Sequence, residues 1–327
     1  MRAITYDTYG SPDVLTLDDI PVPEPTESQV LIEVKAVGLN PFDWHLYRGD
    51  PYLVRMDGAW RRPKKKYTIG ADVAGTVVKV GEKVTAFKPG DDVYGEIGRG
   101  GCAEFAATSH LNLALKPTSI SFEIAAASLM GSFTALQGLR NSGKLVAGQT
   151  VLVNGASGGV GHMAVQIARA LGASRVVAVC STGKVDMVRS LGADEVIDYT
   201  REDFTRRGER FDLIFDTVGT RGLTAIRRAL VPGGTFVTVG SIHRGKLLGP
   251  ARFMFGSLIA GAFIPEKVAT LTDMQGNAED FALLSGWLDG GTIRPVIDRV
   301  YPLESTADAM RQVEGGHVAG KVVVAAN

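Results

Sequence analysis

The chain has 327 residues, enough for two domains with their own cores. Lys+Arg and Asp+Glu balance at 35 each, so no global charge points to nucleic acid or an anionic membrane. The two cysteines, Cys102 and Cys180, exclude a disulfide scaffold and a Cys-only metal site, and they fit a reducing compartment. The opening MRAITYDTYG carries neither an apolar h-region nor an Arg/Ser-rich leader, and a cytoplasmic location is expected. The longest uncharged apolar run, Phe253 to Ile264, is twelve residues, too few to cross a bilayer; it reads as a buried element or a subunit contact.

The first third reads as β-structure. QVLIEVKAVGL alternates and is β-branched, and AGTVVKVG, DDVYGE and CAEFAATS are short strand-like pieces separated by turns such as KPGD. Many short strands suggest a small barrel or sandwich. The basic run Arg61–Lys66 in RRPKKKY is read as a solvated loop rather than an anion patch. Near Leu115 the texture turns helical in SFEIAAASLMGSFTALQGLR, with Ser121 a helix start.

A βαβ period follows. TVLVNG is a buried strand, and VGHMAVQIARALG is a helix with Val160, Ala164, Ile167, Ala168 and Leu171 on one face. RVVAVCS, EVIDY, FDLIFDTV and GTFVTVGS are further strands, with GKVDMVRSLGA and GLTAIRRALV as helices between them. The fold class is therefore α/β with a doubly wound parallel sheet. Beyond Thr272 come a helix in NAEDFALLSGWLDGG, a strand in RPVIDRV, a helix in LESTADAMRQVEGG and a last strand in GKVVVAA.

VLVNGASGGVG carries Gly155, Gly158 and Gly161, and Ala156-x-Gly158-x-x-Gly161 approximates G-x-G-x-x-G between a strand and a helix. Small residues there let the chain turn, let backbone N–H groups approach a pyrophosphate, and let the helix pack on the sheet. The helix N-terminus adds partial positive charge. A dinucleotide is expected over Gly155, Ala156, Ser157, Gly158, Gly159, Val160 and Gly161. NAD sites usually place Asp or Glu about 20 residues further on. Here that position reads VCSTGK, with Cys180, Ser181, Thr182 and Lys184 and no carboxylate. Hydroxyls and a cation suit a 2′-phosphate, so NADPH is expected over NADH.

With these pieces in place the sequence resembles the medium-chain dehydrogenase/reductase superfamily. The resemblance is carried by VGLNPFDWHLYRG (Val37–Gly49), ADVAGTVVKVGEKVTAFKPGDDVYG (Ala71–Gly95), GGCAEFAATS, VLVNGASGGVG, LGADEVIDYT and GKVVV, in the family's order over nearly the whole chain. Its nearest subgroup is the zinc-free quinone oxidoreductase-like reductases, including reticulon-4-interacting-protein-like and plastid-envelope members. The resemblance implies a GroES-like catalytic domain formed by residues 1–118 and 273–327, a Rossmann domain inserted at 119–272, and a homodimer. The family's zinc alcohol dehydrogenases place a Cys in the segment reading GLNPFD and a His-Glu pair where this chain has Ala71-Asp72. Asn40, Pro41 and Ala71 offer no such ligands, the structural-zinc cysteines are missing, and the five histidines show no ligand spacing, so no metal is expected.

Without a Lewis acid, hydride from NADPH is expected to go to a quinone or an α,β-unsaturated carbonyl, whose developing anion is delocalised. By resemblance, Asn40 and Pro41 lie beside the nicotinamide, with Asp43 holding their loop. Thr134 lies near the nicotinamide end, Tyr199 beside the adenosine phosphate, and Lys321 reaches the cleft. Related members have NPVDWK where this chain has His45, so His45 and Tyr47 become candidates, with Asn40, for stabilising or protonating the product. Val218, Gly219, Gly240 and Ser241 follow strand ends at the carboxyl edge of the sheet, where ligands bind. The alternatives are a non-catalytic NADPH-binding or structural protein and, against the missing ligands, a zinc alcohol dehydrogenase.

Overall fold

The computed structural model describes residues 1–55, 60–240, 265–271 and 276–326. The chain divides into two compact units, Met1–Met130 with Gln275–Asn327, and Gly131–Met274. The run 253–264, Ser241 and part of the loop 247–267 lie outside the described residues. Among the described residues no helix is long and apolar enough to cross a membrane.

The first unit begins with β1 (Arg2–Tyr6) and β2 (Thr16–Asp19), an antiparallel pair with no strong signal in the sequence. β3 (Gln29–Leu39) is the spine of the unit. Its alternating apolar residues Val30, Ile32 and Val34 are fully buried. Each such side chain contributes roughly 1.5–3 kcal/mol on full burial. α1 (Pro41–Arg48) follows at once, started by Pro41 at its first turn and closed by Gly49 at φ 58.

β4 (Tyr67–Thr68) pairs with β1, while β5 (Asp72–Val80) runs antiparallel along β3 and β6 (Asp92–Glu96) along β5. β7 (Phe105–Ser109) pairs with residues 29–33 of β3, and β8 (Leu113–Leu115) pairs with β6. The basic run leaves Arg61, Arg62 and Lys64–Lys66 exposed. Lys66 meets Asp18 at 2.9 Å and Lys65 lies over Tyr67. α2 (Phe122–Ala127) starts where the sequence indicated: the Ser121 hydroxyl accepts from the Ile124 N–H at 3.3 Å.

α3 (Leu129–Leu136) leads into the second unit and ends in a six-residue π-helical stretch, Gln137–Ser142. There β9 (Thr150–Asn154), β10 (Arg175–Cys180), β11 (Glu195–Asp198), β12 (Phe211–Asp216), β13 (Leu230–Thr238) and β14 (Lys267–Thr270) form a parallel sheet in the order β11-β10-β9-β12-β13-β14. Helices α4 (Gly161–Ala170), α5 (Val185–Ser190) and α6 (Leu223–Arg228) connect strands of this sheet. The order is the doubly wound one, and it reverses direction between β9 and β12. β14 is a sixth strand with no strong signal in the sequence. Four residues, only partly buried, carry too little periodicity to announce it.

The chain then returns to the first unit with α7 (Ala278–Asp289), β15 (Ile297–Pro302), α8 (Thr306–Glu314) and β16 (Lys321–Ala325). β16 pairs antiparallel with residues 36–39 of β3, on the edge whose other half β7 occupies. That single pairing carries Lys321 to the end of β3 where α1 begins.

Candidate active site

In the second unit, three glycines of the β9–α4 loop differ in what surrounds them. Gly155 sits at φ +81, and a Cβ there would lie 2.2 Å from the Thr217 hydroxyl. A Cβ on Gly161 would lie 2.1 Å from the Gly155 carbonyl, so only glycine lets α4 start that close to the strand. Gly158 is open: the nearest atom to an added Cβ is 3.5 Å away. One glycine turns the chain, one packs the helix and one leaves a face of backbone uncovered. α4 begins with no side chain capping it. The residues therefore fit a dinucleotide pyrophosphate, which needs unobstructed N–H groups at a helix start.

His162 braces this loop, a role the sequence did not show. It is fully buried, and its Nδ1 lies 2.8 Å from the Gly158 carbonyl. At the point where the sheet reverses, the ends of β9 and β12 face each other, and Asn154 Nδ2 donates to Asp216 Oδ1 at 2.8 Å. The same oxygen accepts the N–H groups of Val218 and Gly219, at 2.9 and 3.1 Å, which fixes the turn after β12. Burial raises the pKa of Asp216 above the ordinary carboxylate range. Gly240 follows β13, where a Cβ would meet the Thr217 carbonyl at 2.8 Å. Thr134 is buried on α3.

Cys180 ends β10 and is buried; Ser181, Thr182 and Lys184 form the turn after it, and Tyr199 is exposed just past β11. The VCSTGK segment itself carries no carboxylate, but a neighbouring strand brings one to it. Strand register places Asp198 opposite Cys180, and Thr182 Oγ1 donates to Asp198 Oδ2 at 2.6 Å. The acid comes from β11, a strand later than the position that sequence spacing probes.

In the first unit, a second polar group is buried. Asn40, Asp43, Asp72 and Lys321 are all nearly or fully enclosed. Asp43 accepts the N–H groups of Asn40 and Gly70 at 2.8 and 3.0 Å. Asn40 Nδ2 donates to the Gly38 carbonyl at 3.1 Å and to Asp72 Oδ2 at 2.9 Å, while its Oδ1 accepts from Lys321 Nζ. Lys321 Nζ also lies 3.3 Å from Asp72 Oδ2, and the Met130 N–H donates to Asp72. Both amide protons of Asn40 are thus spent.

Glu96 stands opposite Asp72 across β5 and β6, and its Oε2 is buried without a hydrogen-bond partner among the described residues. Three carboxyl groups share one ammonium. Burial, reinforced by Asp72, pushes Asp43 up to about 7 and Glu96 up to about 8. Burial also raises Asp72, against the pull of Lys321.

The other two proposed catalytic side chains are engaged elsewhere. His45 Nδ1 contacts the Asp50 carbonyl, which assigns the proton to Nδ1, and burial lowers its pKa. Its ring stacks on Trp44 at 3.7 Å. Tyr47 is fully buried and its hydroxyl donates to Glu314, which also pairs with Arg48. Burial raises the phenol pKa further. So placed, Tyr47 braces α1 against α8. Pro41 is exposed at the start of α1.

Residues 26–137 match the alcohol dehydrogenase GroES-like domain, and residues 191–324 match a family described as zinc-binding dehydrogenase. The chain is 36% identical over 339 residues to the 2-methylene-furan-3-one reductase of Solanum lycopersicum, covering 99% of this chain and 79% of that one. It is 34% identical, with the same coverage, to the chloroplastic NADPH-dependent alkenal/one oxidoreductase of Arabidopsis thaliana. The solved quinone oxidoreductase of Coxiella burnetii superposes with a TM-score of 0.88 at 28% identity, covering 100% of this chain and 99% of that chain.

The zinc in one family description does not fit the residues present. Asn40 and Ala71 offer an amide and a methyl, and the Lys321 ammonium already supplies positive charge to Asn40 and Asp72. Among the described residues no group of three or more His, Cys, Asp or Glu is placed to hold a metal ion. Taken with the glycine loop and the sheet order, the matches assign the family: the chain belongs to the medium-chain dehydrogenase/reductase superfamily, among its quinone oxidoreductase-like members.

Proposed function

We propose that the protein is an NADPH-dependent, metal-independent reductase that delivers hydride to a quinone or an α,β-unsaturated carbonyl. The observation that carries this reading is the β9–α4 loop, whose open Gly158 between two obligatory glycines is built for a dinucleotide. The relatives named for alkenal, furanone and quinone reduction support the acceptor class. Bound NADPH supplies the hydride from its nicotinamide ring. Gly155–Gly161 hold the pyrophosphate, and Ser181, Thr182, Lys184 and Tyr199 surround the adenosine phosphate. Val218, Gly219 and Gly240 belong to the same carboxyl edge, and Thr134 is assigned to the nicotinamide end by resemblance.

Asn40 presents an acceptor, not a donor, because Lys321 and Asp72 fix its amide. His45 holds its proton on Nδ1 and is neutral at pH 7, so its Nε2 accepts rather than donates. Solvent then supplies the proton that completes reduction. The two compact units correspond in this reading to the catalytic and nucleotide-binding domains. A homodimer in the cytoplasm completes the proposal; the two buried free thiols support a reducing compartment.

The test is NADPH oxidation with a panel of quinones and enones, with and without a chelator. Turnover unaffected by the chelator is expected. Tight NADPH binding without turnover across the panel would instead identify a non-catalytic binding protein. Elution at the monomer mass in size exclusion would remove the dimer.

A further inference from the structure

We propose that Asp198 is a specificity-determining residue that weakens the preference for the phosphorylated dinucleotide, so that NADH serves this chain as a second hydride donor. The proposal rests on the reading that the Ser181–Lys184 turn receives the adenosine end of the cofactor. Asp198 stands at the end of β11, level with Cys180. Its Oδ2 accepts the Thr182 hydroxyl at 2.6 Å, and its Oδ1 accepts the Thr200 hydroxyl at 2.8 Å and the Thr200 N–H at 3.0 Å. Each hydroxyl has one proton, and both protons go to Asp198. The two hydroxyl oxygens, 3.0 Å apart, are left as acceptors.

Acceptors beside a carboxylate suit the donating 2′-hydroxyl of NADH and oppose a 2′-phosphate. The hydrogen bond from Thr182 leads the contacts that hold the Asp198 pKa below its ordinary value, so the charge persists at neutral pH. Two cations act the other way. Lys184 stands on the turn itself. Arg201 approaches Asp198 Oδ2 to 3.4 Å while its side chain stays 75% exposed, and so offsets the carboxylate. The edge therefore balances cations that attract a phosphate against an anion that repels it. Asp198 tilts this balance toward NADH.

The experiment compares kcat/KM for NADPH and for NADH, with one acceptor, in wild type, Asp198→Asn, Arg201→Gln and Lys184→Ala. The wild type is expected to turn over both cofactors. Asp198→Asn removes one charge near the phosphate and raises the NADPH/NADH ratio about tenfold, through the NADPH value. Arg201→Gln, at an exposed position, unmasks the carboxylate and lowers the ratio, and it decides the matter should Asp198→Asn not fold. Lys184→Ala lowers the ratio if the adenosine end sits here. An unchanged ratio in Asp198→Asn, or an equal loss with both cofactors, overturns the proposal while a Lys184→Ala effect preserves the cofactor reading. An unchanged ratio in Lys184→Ala overturns both.

Discussion

Replacing Lys321 by methionine keeps a long, flexible side chain but removes the ammonium that faces Asp72 and Asn40. Asp72 is fully buried, so its charge is left without a counter-ion, and breaking a buried pair in this way costs about 3–5 kcal/mol. Asp72 can escape by taking a proton. At pH 7 that costs about 4 kcal/mol relative to an unfolded carboxyl titrating near 4, and each lower pH unit relieves about 1.4 kcal/mol. The variant should thus lose about 4 kcal/mol at pH 7 and about 1 kcal/mol at pH 5. The sign follows from linkage: without the lysine, the folded-state pKa of Asp72 rises further above its unfolded value. The folded variant binds the extra proton, and its stability falls as pH rises. Urea unfolding followed by tryptophan fluorescence is the assay, since Trp44, Trp60 and Trp287 all belong to the first unit and report on it alone. Adding Asp72→Asn should bring the double variant back to within about 1 kcal/mol of wild type. A loss below 1 kcal/mol at pH 7, or a loss that does not change with pH, would refute the reasoning.

Glu96→Gln should stabilise the protein above pH 8 by about 1–3 kcal/mol. The raised pKa of Glu96, about 8, favours folding at low pH, and that contribution is lost as pH climbs through 8; thermal melts from pH 6 to 9 will show the wild type declining faster than the variant. Gly158→Ala should leave the melting temperature within a few degrees of wild type and raise KM for NADPH, because its Cβ meets no protein atom closer than 3.5 Å. Gly161→Ala should unfold the loop or the domain, since its Cβ would lie 2.1 Å from a backbone carbonyl; equal melting points for the two variants would contradict this contrast. Tyr47→Phe should cost about 1–3 kcal/mol of stability and leave kcat and its pH profile unchanged; a fall in kcat with an unshifted melt would restore the phenol to the chemistry.

The nucleotide unit was legible because its signals are local. A strand, a glycine turn and a helix follow one another between Thr150 and Ala170, and Gly161 packs on Gly155 within that same stretch. Asp198 was not legible. It meets Thr182 only because β10 and β11 pair in a register that puts Cys180 beside it, and register is not written at either position. The polar group around Asn40 was half legible. Lys321 and Asn40 were named by resemblance, but their contact depends on β16 lying antiparallel to β3, at a separation of 281 positions. Glu96 escaped notice because an acidic residue at the end of the strand-like DDVYGE reads as solvated; only the pairing of β5 with β6 sets it opposite Asp72. His45 and Tyr47 were named as candidates without their surroundings, because an eight-residue helix does not reveal which face is covered. α8 covers Tyr47, and the Asp50 carbonyl ties down His45.

The return of β16 to β3 also orders events during synthesis. The parallel sheet reaches its last strand by residue 270, while the spine of the first unit, paired with β5 on one edge, still lacks its other neighbour along residues 36–39. Until residues 321–325 leave the ribosome, Asp43, Asp72 and Glu96 have no ammonium among them. The early sheet must hold them as neutral acids or leave that end open to water. The second unit is therefore made before the first is finished, and a single lysine completes the electrostatics of a group whose first member, Asn40, was made some 280 residues earlier.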